Sequence, residues 1–362
     1  MGLNLDKKEI DNRVPSTRYR GSKRRILPWI FENVSSLKFD TVLDGFGGTG
    51  SVSYLFKMME KEVTFNDILT SNYQTGISFI ENGRYILNKH DIQFLIQSND
   101  YEYPTFIQDT FKDIYYLDEE NAWLDRTIYN IKMLSDRYSG KVLRKKQALA
   151  YHALFQACLM KRPYNLFHRK NLYMRTAQVK RTFYNKKTWE IPFEDLFVRY
   201  CIDTSKRVFH GRKGNRAVCQ DILNLNGDNF DLVYLDPPYV QVKSESVNYY
   251  NFYHFLEGIV DYDNWAHRLD LSRKHCPLQQ TERSWVRGNV EKDLDRIFQR
   301  YSDSIIVMSY GEPGYPSIEV LTEMLGQYKE DVQAFKRKFS YSLNRSKKNG
   351  NGLYEVLIVA QK

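Results

Sequence analysis

The chain lacks the marks of several protein classes. Its 362 residues include four cysteines, Cys158, Cys201, Cys219 and Cys276, and none stands in a CxxC pair or at a Cys/His spacing that would hold zinc. A disulfide-stapled scaffold, a zinc module and a dithiol redox site are thereby disfavoured, no metal is expected, and the thiols suit a reducing compartment. Nowhere do 18 apolar residues run together, and the opening residues, MGLNLDKKEI, contain no apolar signal core. The expectation is a cytoplasmic protein without a membrane span. Internal repeats and long low-complexity runs are missing as well.

One further absence is local. From Lys161 to Trp189, KRPYNLFHRKNLYMRTAQVKRTFYNKKTW, there is no Asp or Glu, while Lys161, Arg162, Arg169, Lys170, Arg175, Lys180, Arg181, Lys186 and Lys187 supply nine positive charges. Tyr164, Phe167, Tyr173, Phe183 and Tyr184 are interleaved with them. A charge run is commonly a solvated face, but rings set among cations suit the bases and phosphates of a nucleic acid. The whole chain carries a net charge of +9, which favours a polyanionic partner. Hydrophobic residues at 42% and charged residues at 27% describe a globular protein with a sizeable core.

Two stretches carry chemistry. Thr41 to Leu43 read as a brief strand leading into Asp44-Gly-Phe-Gly-Gly-Thr-Gly50, a glycine-rich turn. Val52, Leu55, Phe56 and Met59 then fall at i, i+3, i+4 and i+7, one face of a helix. Such a loop brings backbone close to a ligand at a helix N-terminus. GFGGTG also satisfies the GxGxxG pattern of dinucleotide-binding units, and Asp67, 22 residues beyond Gly45 at the end of the apolar run Val63 to Phe65, can take a ribose hydroxyl in either reading. Asp44 separates them, because a carboxylate beside the first glycine suits a cationic cofactor and repels a pyrophosphate.

The second stretch is FDLVYLDPPY, Phe230 to Tyr239. Leu232 to Leu235 form a continuous apolar run, the mark of a strand buried on both faces of a parallel sheet. Asp236 therefore stands at a strand's carboxyl end, where open α/β sheets place ligands. Pro237 and Pro238 fix φ and stiffen the exit. A carboxylate, the Pro237 carbonyl and the flat Tyr239 ring are thus presented to one small volume. Two acceptors can grip both hydrogens of a planar amino group, and the ring can stack on an aromatic base.

DPPY after a strand resembles the catalytic motif of amino-group DNA methyltransferases, in particular the D12 (Dam-like) adenine-N6 class of restriction-modification systems. That resemblance implies that Asp236 and the Pro237 carbonyl hold the target amine while Tyr239 stacks on an extruded adenine. DGFGGTG is similar to the S-adenosylmethionine loop of the same family, which places Asp44, Gly45, Phe46, Gly48, Gly50 and Asp67 at the cofactor, with Asp236 bordering it. Arg18 to Ile30, RYRGSKRRILPWI, otherwise a basic surface turn, resembles the family motif at the methionine end of the cofactor. Tyr19, Gly21 and Lys23 match it, with Lys23 facing the cofactor carboxylate. Asp221 and Ile222, after the strand-like AVCQDIL, match the position that meets the cofactor adenine.

These motifs stand in the order of the branch that places target recognition before DPPY. The resemblance implies an α/β, Rossmann-like methyltransferase sheet, mostly parallel, built from residues 1–95 and 205–362, with a DNA-recognition insertion at 96–204. Double-stranded DNA is the implied partner, a cognate restriction endonuclease a possible companion, and the state a monomer or dimer. N4-cytosine methylation, where Ser more often replaces the Asp, an RNA substrate, an NAD-binding oxidoreductase and a non-catalytic DNA-binding protein remain open alternatives. Elsewhere the pattern predicts a loose polar arm over the first 17 residues, a helix from Val142 to Met160, and a polar-aromatic loop holding Tyr249, Tyr250 and Tyr253. Asp261 to Arg300 shows few periodic signals. A closing antiparallel hairpin is expected from Phe335 to Leu343 and Leu353 to Ala360, reversing at NRSKKNGNG.

Overall fold

The computed structural model describes residues 5–177, 185–212, 214–225, 229–240, 248–279, 289–339 and 353–362. Among these, seven strands form one sheet: β1 (Thr41–Asp44), β2 (Glu62–Asn66), β3 (Arg216–Val218), β4 (Leu232–Leu235), β5 (Ile305–Glu312), β6 (Asp331–Phe339) and β7 (Leu353–Gln361). Their spatial order is β3-β2-β1-β4-β5-β7-β6. The first five pair in parallel, and β7 runs antiparallel to both β5 and β6. The expected Rossmann-like sheet with a closing antiparallel hairpin is therefore observed, although the reversal NRSKKNGNG lies outside the described residues.

The sheet is covered on both faces, and strand alternation decides which residue goes where. Val42, Val63, Phe65, Leu232, Tyr234, Val307 and Leu357 face one apolar layer, packed with helices Leu27–Val34 and Ser51–Met58. Leu43, Val233, Leu235, Ile306, Met308, Val356 and Ile358 face the other, with helices Val290–Arg300 and Ile318–Gly326. Burial on both sides explains why β4 reads as an unbroken apolar run.

The expected loose arm is docked instead: helix Lys7–Arg13, capped by Asp6, buries Ile10, and Leu5 and Val14 join the same apolar layer. Arg24 and Arg207 donate to its carbonyls at Asp11, Asn12, Arg13 and Val14, tying it down. The expected loop around Tyr249 is a helix, Tyr249–Val260, capped by Asn248. Its aromatic crowding hides the helical period, because Tyr253, Phe255, Leu256 and Ile259 are buried together. Val290–Arg300 is likewise helical, with Val290, Leu294, Ile297 and Phe298 on its buried face.

A third apolar cluster belongs to a helical body. It joins residues from Leu69 through Cys201 with Tyr253, Phe255, Trp265 and Leu278. The anticipated long helix runs Gly140–Met160, is buried on nearly every side from Ala148 to Leu159, and packs along Phe193–Lys206. Glu120 of helix Asp118–Lys132 binds this body to the segment after Met160: it accepts two hydrogen bonds from Arg175, at 2.8 and 2.7 Å, and pairs with Lys161 at 2.6 Å. Burial works against the Glu120 charge, yet the two cations hold its carboxyl below the usual glutamate range.

Glu120→Ala would strand two buried cations and is expected to lower stability by about 3–5 kcal/mol at pH 7 in a denaturant titration. Because the folded-state pKa is depressed, this contribution is present above the unfolded value near 4.3 and is lost as pH falls below it. The difference between wild type and variant should therefore shrink on acidification; a difference that stays constant to pH 3 would contradict the assignment.

Candidate active site

Parallel register gathers the acids that the sequence singles out. Asp44 pairs with Tyr234 on β4 and Phe65 on β2, and Asn66 pairs with Val218 on β3. Asp44, Asp67, Asp221 and Asp236 consequently stand at or just past the carboxyl ends of four adjacent strands. This edge lies at the β1/β4 reversal of strand order, the point where open α/β sheets bind ligands.

The glycine loop is closed by its own hydrogen bonds. The amides of Gly45, Gly47, Gly48 and Gly50 donate to Tyr234 O, Asn66 O, Asp67 Oδ2 and Gly47 O at 2.8–2.9 Å. Gly50, at φ 69°, takes the left-handed turn into helix Ser51–Met58. With four glycine amides spent internally, the loop is a poor pyrophosphate cradle, which weighs against the dinucleotide reading. A Cβ on Gly45 would collide with Ile222 Cδ1, so Ile222 lies directly against the loop. Phe46 packs at the edge of the second sheet layer.

Asp44 is 1% exposed. Its Oδ2 accepts from Ser53 Oγ at 2.6 Å, whereas Oδ1 is buried without a hydrogen-bond partner. Burial pushes this carboxyl up to about 7. An unpartnered carboxylate oxygen beside the glycine loop fits a cationic group.

Asp67 is more committed to the protein. It accepts from Gly48 N, Leu69 N and Asn72 Nδ2, and burial raises its carboxyl to about 6 against those bonds. Asn72 also donates to Tyr19 Oη, and the Tyr19 ring stacks on Tyr253 at 4.3 Å. Asp221 caps the short turn Ile222–Asn224 by accepting from Leu223 N. Gly21, at φ 89°, lies so near Tyr249 that a Cβ would sit 2.9 Å from its hydroxyl.

Lys23 is brought to the DPPY motif. Its ammonium, expected to face a cofactor carboxylate, donates to both oxygens of Asp236 at 2.7 Å and lies 3.4 Å from Glu355 Oε1. It also sits 4.9 Å from the centre of the Tyr239 ring. Burial alone would lower the Lys23 pKa, but the Asp236 and Glu355 carboxylates raise it well above the ordinary lysine value. Burial pushes Asp236 up to about 6, with Lys23 opposing and Glu355 assisting. Pro237 is buried, and the Tyr239 hydroxyl donates to Glu355 Oε1 at 2.6 Å. Glu355, from β7, escaped the sequence reading; its signal was a lone acid inside the apolar strand LYEVLIVA.

The basic segment divides. Lys161, Arg162 and Arg175 are inward-facing: Arg162, 1% exposed, donates to the carbonyls of Tyr115, Leu166 and Arg169 and lies over the Tyr115 and Phe167 rings. With Lys161 and Arg175 held by Glu120, these three are structural cations in this arrangement, a correction to their expected place on a nucleic-acid surface. The partner acid lies outside the acid-free segment, so composition could not reveal it. Arg169 and Lys170 are exposed, and so is Tyr164, a residue 61% exposed at φ 62°. Lys180 and Arg181 lie outside the described residues, and of Lys186 and Lys187 only their place in helix Asn185–Glu190 is described.

Asp44 yields a pH signature. A carboxyl whose folded pKa is raised to about 7 costs stability as pH rises from the unfolded value near 4 to that folded value, by at most about 1.4 kcal/mol per pH unit. Asp44→Asn should remove this slope in ligand-free protein, gaining on wild type steadily between about pH 4 and pH 7 and no further above it. Parallel stability curves for the two proteins across that range would refute the buried, unpartnered state of Asp44.

Among the described residues no helix is long and apolar enough to cross a membrane, and no cluster of His, Cys, Asp and Glu is arranged to hold a metal. The family described as D12 class N6 adenine-specific DNA methyltransferase matches residues 19–310. The chain is 26% identical over 361 residues to the type II methyltransferase M2.HphI of Haemophilus parahaemolyticus, across 96% of this chain and 98% of that protein. It is 25% identical to the modification methylase LlaI of Lactococcus lactis subsp. lactis and 23% identical to the modification methylase StsI of Streptococcus sanguinis, each across 95% of this chain. It spans 55% and 52% of those two longer proteins. The sheet order, the glycine loop, DPPY at the end of β4 and this match over most of the chain agree: the protein belongs to the D12 class of N6 adenine-specific DNA methyltransferases.

Proposed function

We propose that this enzyme methylates N6 of one adenine within a specific duplex site, using S-adenosylmethionine bound along the carboxyl edge of β1, β2 and β3. The observation that carries the reading is the buried, unpartnered Asp44 Oδ1 on the strand beside Asp236. Bound there, the cofactor would supply an electrophilic methyl group on a sulfonium. Asp44 would hold its cationic part, Gly45, Phe46, Gly48 and Gly50 would line it, and Asp67 has acceptor capacity left for a hydroxyl. Asp221 and Ile222 would border its adenine, and Tyr19 and Gly21 its other end.

The target adenine, extruded from the duplex at a cost of a few kcal/mol, would stack on Tyr239. Its N6 hydrogens would be gripped by Asp236 and the Pro237 carbonyl, concentrating the nitrogen lone pair toward the methyl. Orientation and hydrogen bonding carry this chemistry. Target recognition is assigned to residues 96–204 and the transfer core to 1–95 and 205–362. Arg169 and Lys170, with Lys180, Arg181, Lys186 and Lys187, are the candidates for DNA contact. The names of the relatives, a type II methyltransferase and two modification methylases, support a role in marking sites against a cognate restriction endonuclease, and a cytoplasmic location is proposed with it.

Incubation with tritiated S-adenosylmethionine and mixed-sequence duplex, followed by nucleoside analysis, is expected to yield N6-methyladenine. Asp236→Ala should lower the rate at least about 10²-fold while DNA retention survives. Label recovered as N4-methylcytosine, or a near wild-type rate for the variant, would overturn the reading. Arg169→Ala with Lys170→Ala should reduce the slope of log K against log salt by about 1–2 units, and an unchanged slope would exclude both from phosphate contact.

A further inference from the structure

We infer that Glu355 is a positioning residue of the methyl-transfer site, giving the Lys23 ammonium a second resting place so that Asp236 can take the target amine, and holding the Tyr239 ring by its hydroxyl. The inference rests on the function proposed above and goes beyond the DPPY motif, since Glu355 lies outside the residues matched to the family.

Asp236 must offer an oxygen to an amino hydrogen, yet both of its oxygens accept from Lys23 at 2.7 Å. A lone lysine–aspartate pair would resist that exchange, because withdrawing the ammonium from its only counter-charge in a buried site leaves both charges desolvated and unpaired. Here a second carboxylate waits 3.4 Å away. Charge-assisted N–H···O contacts settle at about 2.7–2.9 Å, so a shift of roughly half an ångström moves Lys23 onto Glu355. The ammonium keeps a partner throughout.

Glu355 is built into place. It is 3% exposed in β7, with Val356, Leu357 and Ile358 wholly buried beside it. An acid there is costly unless its partners need it. Register sets it opposite Gly311 of β5, and the missing side chain of Gly311 makes room for Tyr239: a Cβ would stand 2.7 Å from two carbons of that ring. One glutamate oxygen thus anchors the hydroxyl of Tyr239 and neighbours Lys23, coupling the base-stacking ring to the residue that must release Asp236.

The test follows kcat from pH 5 to 9 with S-adenosylmethionine and a methylatable duplex. Charged and titratable groups facing Asp236 are Lys23, Glu355, Tyr239, Tyr234 and Asp44. Glu355→Gln keeps shape and removes charge, so Lys23 should clamp Asp236: kcat falls about tenfold or more, while cofactor affinity by calorimetry stays near wild type. Loss of the Glu355 charge also eases ionisation of Asp236, and the acid limb of the profile should move to lower pH.

A merely structural Glu355 would lower the melting temperature and the fraction of active enzyme without moving that limb. A folded Gln variant with unchanged kcat, or with a reduced kcat and an unmoved limb, overturns the inference. Should the Gln variant not fold, Glu355→Asp carries the test, because it keeps the charge but shortens the reach. Its limb should stay in place while kcat drops, and a wild-type kcat overturns the inference equally. If wild type itself fails to methylate adenine, the proposed function has failed, a result read before any variant is measured.

Discussion

Parallel pairing of β1 through β5 is the constraint on which the site depends. It sends every strand's carboxyl end to one edge, so acids placed at strand ends become neighbours although they are separated by up to 192 residues, from Asp44 to Asp236. The two covered faces then make that edge dry. Desolvation, more than any pairwise contact, raises the carboxyls of Asp44, Asp67 and Asp236. A water-excluding edge strengthens each polar contact made there and penalises each one left unmade.

The same accounting governs cations. Lys23 sits between two carboxylates, Lys161 and Arg175 share Glu120, and Lys57 is held by the carbonyls of Phe79 and Asn82. In each case the partner comes from a different element, so the charge also fastens one part of the chain to another. The difference lies in the partners: Glu120 is outnumbered by its cations, whereas Lys23 is outnumbered by its acids. Only the second arrangement leaves a negative group available to an incoming donor.

Closure of the sheet by β7 has a consequence for the site as well. Reversal of direction next to β5 places the start of β7, and hence Glu355, at the edge where the parallel strands end. A sixth parallel strand in that place would have delivered its carboxyl end instead. The antiparallel strand therefore contributes to DPPY from the far end of the chain.

The sequence by itself determined the class of the fold and the reacting motifs. Unbroken apolar runs ending in Asp44 and Asp236, a glycine-rich turn and paired prolines are local signals, written in adjacent residues, and local backbone physics is enough to interpret them. It could not determine partnership. The acid-free stretch after Met160 looked like a nucleic-acid surface because Glu120 lies about 40 residues before it; Lys23 looked free for a cofactor because Glu355 lies over 300 residues beyond. The Tyr249–Val260 helix was obscured because rings surround it on several sides. Tertiary structure alone decided which charges are spent inside the protein, since burial and pairing depend on what other elements bring to the same place.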